Sequence, residues 1–345
     1  MKKMVPIILM AIFVLSSSVM ASPRMPLGEM FTNTSCNPCY YPELYLDALM
    51  ENYANDFSLI RYHVWWPSPG DPFYQFNQGE SATRNNYFGN NYTPHLFIDG
   101  IVDGGSSYGQ WENLYLQRWD VQSPMEIVVT GNYDDQKRET DLNIAVTATD
   151  DISSSNLRLF CVLIENYINF HAHNGISVHN QTMRDMVPNA TGEVFTISNG
   201  ETVEFTRQVA LDQEFDENNC QIVVFVEDYS TKEIFQTTRV EATISSTGVN
   251  DFPQGDIPKT TILAQNYPNP FNAQTNIAFY LKSKSDVNLS VFNLVGQKVA
   301  ELANDQFDAG AHSVNWDASQ VSSGIYFYRL VANGEIKTRR MVLAK

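Results

Sequence analysis

The chain has 345 residues, 43% of them hydrophobic and 12% aromatic, which suits two or three folded cores and excludes a disordered chain. Its formal net charge of -17 argues against nucleic acid and against anionic membrane surfaces as partners. From Leu263 onward eight Lys or Arg stand against six Asp or Glu, about +2, leaving about -19 for the rest, so the tail is a separate module in composition.

The chain opens MKKMVPIILMAIFVLSSSVMAS. Lys2 and Lys3, the apolar run Val5–Leu15 and the small-residue exit Val19-Met20-Ala21 follow the order of a secretory signal peptide over residues 1–21. The run is too short to span a bilayer. No cysteine follows Ala21 directly, so a lipid anchor is not expected, and no later segment is apolar for long enough to cross a membrane. Export places all four cysteines where disulfides persist.

Residues 22–120 mix strands and helices. In TNTSCNPCYYPELYLDALM, Cys36 and Cys39 stand two residues apart, directly before a helical pattern with Leu44, Leu46, Leu49 and Met50 on its apolar side. The spacing fits a redox pair, a metal clip or a local staple. FSLIRYHVWW reads as a buried strand. GESATRNNYFG is a helical piece, YTPHLFIDG a short strand, and GQWENLYLQRWD a last helix with Trp111, Leu114 and Trp119 inward. Strands alternating with helices predict an α/β domain.

From 121 to 246 the pattern changes to MEIVVTGNY, TDLNIAVTAT, LRLFCVLIEN, ETVEFTRQVAL, CQIVVFVED and EIFQTTRVEATI, strand-like runs between polar turns. They predict an antiparallel β-sandwich. Cys36 with Cys39 is the favoured pairing; Cys161 and Cys220, far apart in sequence, are either a structural disulfide or two buried thiols. Residues 247–262 lack periodicity and read as a linker. From 263 to 345, TNIAFYL, VNLSVFNLVG and a hairpin around Asn333-Gly334 predict a small immunoglobulin-like β-sandwich.

NYPNPFN, FNLVGQKV, AGAHSVNWD, GIYFYRL and KTRRMVLAK, in that order, closely resemble the type A C-terminal sorting domain of the type IX secretion system. That resemblance implies a cell-surface or secreted protein carried across the outer membrane, with the secretion machinery as partner through residues 263–345.

The order strand, CxxC, helix, strand, insertion, Thr93-Pro94, strand resembles thioredoxin. More narrowly, MFTNTSCNPC and TPHLFIDG are similar to a family of outer-membrane-related proteins. The thioredoxin resemblance implies that Cys36 is a nucleophile activated by a helix N-terminus, Cys39 the resolving thiol, and Pro94 a cis-proline presenting backbone to substrate. Thr93, Ser35, Trp65 and Trp66 would border the site. The sequence departs from thioredoxin at Ser35, where thioredoxin has Trp, and at Met30, which stands where thioredoxin has a buried acid; Glu29 is one residue off.

No second cysteine or histidine pair completes a zinc clip. His171, His173 and His179 read as a polar loop, and His63 and His95 as structural or site-bordering residues. No metal and no cofactor are expected. Two functions remain: a thiol-disulfide oxidoreductase acting on extracytoplasmic proteins, or a non-catalytic binding or structural protein whose CxxC is only a local disulfide.

Overall fold

The computed structural model describes residues 22–53, 56–246, 261–263, 266, 271–294 and 296–345. The predicted signal peptide, nearly all of the predicted linker and part of the NYPNPFN segment lie outside the described residues.

The first part runs β1 (Leu27–Thr32), α1 (Tyr40–Asn52), β2 (Ser58–His63), α2 (Pro72–Phe76), α3 (Gln78–Phe88), β3 (His95–Ile98), β4 (Val102–Gly105) and α4 (Trp111–Trp119). β1 and β2 are parallel; β3 is antiparallel to β1, and β4 to β3. α1 packs Leu46, Leu49 and Met50 against Met30, Leu59 and Trp111. Leu44, expected inward, is 44% exposed, because two residues of helix turn it about 200° from Leu46. On α4, Trp111 and Tyr115 are buried, while Leu114 and Trp119 lie at the margin. α2 starts where Asp71 accepts from the amides of Phe73 and Tyr74 with Pro72 in the first turn, a polar start inside a Pro-rich loop.

The second part contributes β5 (Met125–Asp134), β6 (Glu139–Ala148), β7 (Leu157–Glu165), β8 (Ile168–Asn169), β9 (Val178–His179), β10 (Thr182–Val187), β11 (Glu193–Phe195), β12 (Thr202–Ala210), β13 (Cys220–Asp228), β14 (Ile234–Glu241) and β15 (Ser245–Ser246). One sheet, ordered β14-β13-β7-β10-β2-β1-β3-β4 with β11 also on β7, crosses residue 121; a second is ordered β12-β6-β5-β15. The division expected at 120/121 therefore does not separate two bodies. The seam is β10 beside β2, with the Arg61 amide donating to the Gln181 carbonyl at 2.8 Å.

The reason is visible in β7. Leu159, Cys161 and Leu163 face the core shared with Ile144, Val146 and Phe205 of the second sheet. Phe160, Val162 and Ile164 face the opposite core with Phe31, Tyr62 and Phe88. Burial on both faces requires a continuous apolar run, and LFCVLI, residues 159–164, is one. β6, buried on one face, alternates instead.

Arg84 of α3 fastens the two parts. It is fully buried and pairs with Glu29 at 2.6 Å and with Glu227 of β13 at 2.9 Å.

Cys161 and Cys220 are free thiols; the bridge held open between them is absent. They lie on neighbouring strands, but Cys161 sits opposite Val224 and Cys220 opposite Glu165. A four-residue offset is about 13 Å at strand spacing, beyond the reach of a disulfide.

The tail comprises β16 (Ile262–Leu263), β17 (Gln274–Leu281), β18 (Ser285–Asn293), β19 (Lys298–Phe307), β20 (Gly310–Asp317), β21 (Gly324–Ala332) and β22 (Glu335–Leu343). Sheets β16-β17-β20 and β19-β18-β21-β22 enclose Ile277, Phe279, Leu289, Trp316 and Tyr328. Asn333 and Gly334 have φ of 55° and 77°, the positive pair that the tight hairpin turn needs. Arg339 pairs with Asp56 at 2.6 Å, and Arg340 lies 4.2 Å over the Trp119 ring and pairs with Asp120. No helix among the described residues is long and apolar enough to cross a membrane.

Candidate functional site

Parallel pairing with β2 brings β1 to its end at Thr32, and the chain turns through residues 33–36 into a 3₁₀ turn, Asn37–Cys39, that leads into α1. Cys36 and Cys39 are disulfide-bonded, with Cα atoms 5.4 Å apart. Cys39 lies one turn into the helical segment, as the spacing predicts, and its amide donates to the Cys36 carbonyl at 3.0 Å. No basic residue stands in this turn.

The loop before Cys36 is held from three sides. The Asn33 side chain donates to the carbonyls of Val64 at 2.7 Å and Ser68 at 2.9 Å, and its Oδ1 accepts from the Ser35 amide at 2.8 Å. The Thr34 amide donates to Asp71 Oδ2 at 2.6 Å, and the same oxygen meets His63 Nδ1 at 2.7 Å. Burial works to raise the Asp71 pKa. The His63 ring and the Thr34 and Tyr74 amides outweigh it and hold the carboxyl at about 2.

The third hold comes from the second part of the chain. The β8–β9 hairpin reaches over the loop, where the Asn174 amide donates to the Thr34 carbonyl at 2.9 Å and its side chain donates to the Asn33 carbonyl at 3.4 Å. Gly175, at φ +95°, lies beside Tyr40, where an added Cβ would rest in ordinary contact 3.5 Å from the ring. Cys36 is 2% exposed and Cys39 0%. Thiol reactivity depends on exposure and on an electropositive setting, and the exposure here is small.

The Thr93-Pro94 bond is cis. Because His95 pairs with Phe31, Pro94 comes beside Thr32, at the same end of the sheet as Cys36. Pro94 is buried and Thr93 half-buried. Trp65 and Trp66 stack edge-to-face at 4.4 Å and pack on the core around Phe31 and Phe88. Ser35 is half-buried. His95 has acceptors at both nitrogens, Asn90 Oδ1 at 2.7 Å and Asp103 Oδ1 at 2.8 Å.

Strand alternation explains the missing acid. Met30 faces α1, whereas Glu29 points to the opposite side of the sheet, into the Arg84 pair. The acid on the α1 side is instead Glu43, buried and hydrogen-bonded by the Thr32 hydroxyl. Sequence reasoning missed Glu43 and Asp71. The start Asp71-Pro72 was the available signal for the second, since it is a helix cap. The cover by 170–177 had no local signal.

Residues 81–246 match the family described as Outer membrane protein Omp28, and residues 265–344 match the Secretion system C-terminal sorting domain. Residues 81–246 are thus similar to the Omp28 outer membrane proteins, and with a type IX sorting domain at residues 265–344 the protein is secreted or held at the cell surface through the outer membrane. The Omp28 match runs across residue 121, as the sheet does, and leaves Cys36 and Cys39 outside it. No curated protein matches the chain. Among solved structures, HBP35 of Porphyromonas gingivalis is 14% identical with TM-score 0.56, covering 94% of this chain and 99% of its own; it shares the fold. A domain of the outer membrane lipoprotein Omp28 from Porphyromonas gingivalis is 20% identical with TM-score 0.26, covering 36% of this chain and 92% of its own. A protein of Agrobacterium tumefaciens is 13% identical with TM-score 0.44, covering 68% and 99%.

Proposed function

We propose that the chain is a non-catalytic binding or structural protein of the cell surface, built on a thioredoxin-like scaffold whose Cys36–Cys39 pair is a local staple. The scaffold reading is supported by the order β2-β1-β3-β4 with only β1 and β2 parallel, the cysteines at the start of α1, and Pro94 before β3. The observation that carries the non-catalytic reading is the burial of Cys36, 2% exposed, with a hairpin bonding Asn33 and Thr34 in the loop that leads to it. On this reading a protein substrate would have to displace the packing around the loop before either sulfur could be reached. Residues 263–345 address the protein to the type IX machinery, and the two-sheet body is what reaches the surface.

The oxidoreductase reading, with protein thiols or disulfides as substrates, rests on Cys36 opening the helical turn and on Pro94 beside Thr32. Reduction potential and alkylation rate separate the two. The staple predicts a potential below about -300 mV, slow alkylation of Cys36 and no reduction of a model disulfide protein. A higher potential, with Cys36 labelling far ahead of Cys39 and with turnover, would reinstate the enzyme.

A further inference from the structure

We infer that His63 and His179 form a buried binding site for a cuprous ion, held by His63 Nε2 and His179 Nδ1. The free nitrogens follow from the partners. His63 Nδ1 meets the Asp71 carboxylate at 2.7 Å, which only accepts, so Nδ1 is committed as a donor and Nε2 is the nitrogen left for a ligand. His179 Nε2 meets the Phe170 carbonyl at 3.1 Å, which also only accepts, so Nδ1 is bare. His63 Nε2 and His179 Nδ1 are both buried and have no hydrogen-bond partner in the protein.

A carboxylate on one ring and a backbone carbonyl on the other are the supports that metal-binding histidines use to fix their free nitrogens. The ring centres are 6.0 Å apart, a separation that one ion can bridge with metal–nitrogen bonds of about 2 Å. Phe73 lies 4.7 Å from the first ring and 4.8 Å from the second, so one aromatic ring closes a side of the pair.

Ligand number selects the ion. No group of three or more His, Cys, Asp or Glu suited to a metal exists among the described residues, whereas zinc takes four ligands. Imidazole suits copper, and the cuprous ion is stable with two nitrogens. Its single charge also matches that of Asp71, so no uncompensated dication is buried. Bound there, it would tie β9, and with it the hairpin over the disulfide, to β2.

The test uses the full mature chain with its disulfide intact, titrated anaerobically with cuprous ion against a chromophoric chelator. One equivalent should bind. His63→Gln and His179→Gln should each weaken binding at least tenfold, whereas His171→Gln/His173→Gln, two exposed positions on the same hairpin, should leave it unchanged. X-ray absorption of the wild-type complex should show nitrogen neighbours and no sulfur, and it decides the matter if a variant fails to fold. Absence of binding, equal binding by all variants, or sulfur scattering from Cys161 or Cys220 overturns the site.

Discussion

Ile176→Ala tests whether the hairpin is the cover of the disulfide. Ile176 is 3% exposed, near the tip whose Asn174 bonds Thr34 and Asn33. Shortening a buried Ile to Ala costs about 2–5 kcal/mol. Here the cost falls on the closed hairpin, which is also held by two hydrogen bonds of about 1 kcal/mol each. Taking the low end, about 2 kcal/mol, opening becomes roughly 30-fold more frequent at 1.4 kcal/mol per tenfold change. The assay is alkylation of Cys36 after gentle reduction, followed by peptide mass spectrometry. Cys161 is buried in the core and serves as the internal reporter of global unfolding. The expected result is a roughly 30-fold faster Cys36 reaction with Cys161 unchanged. If Cys36 in the wild type already reacts like a free thiol, or if both cysteines accelerate together, the hairpin is not the cover.

Arg84→Met should destabilise the body by about 3–5 kcal/mol in urea melts, because Glu29 and Glu227 would stay buried without their cation; a loss under 1 kcal/mol contradicts the fastening role. Burial raises the Glu80 pKa to about 7, so the native state holds a proton there that the unfolded state has released. Stability should therefore fall as pH rises from about 4.5 to 7, and Glu80→Gln should remove roughly 1 kcal/mol of that fall, discounted for partial solvation; an unchanged pH profile refutes the assignment. A chain ending at Asn250 should keep cooperative unfolding of the body, although it loses the contacts of Arg339 with Asp56 and of Arg340 with Asp120 and Trp119. Fractionation should find it in the periplasm, and its normal appearance outside the cell would remove the sorting role of the tail.

The elements were legible because local pattern controls them. The period-2 texture of β5 and β6, the helical spacing of Leu46, Leu49 and Met50, and Asn333-Gly334 in a positive-φ turn each depend on neighbouring residues alone. The tail was legible as a separate module for the same reason, since its charge and motif order are written along the chain. The union of the first two parts was not. It depends on β10 settling beside β2 and on Arg84 finding Glu227 143 residues away, and pairings over such distances leave no periodic trace. LFCVLI, residues 159–164, carried a hint, because a run without polar interruptions is a strand covered on both faces. The sequence could not say that the second cover was the α/β part. The CxxC shows the same limit more sharply. Its spacing, helix start and proline partner are local and were readable. Whether its sulfur can be reached depends on a hairpin some 140 residues later bonding Asn33 and Thr34. Reactivity is a property of exposure and field, and both are set by tertiary packing.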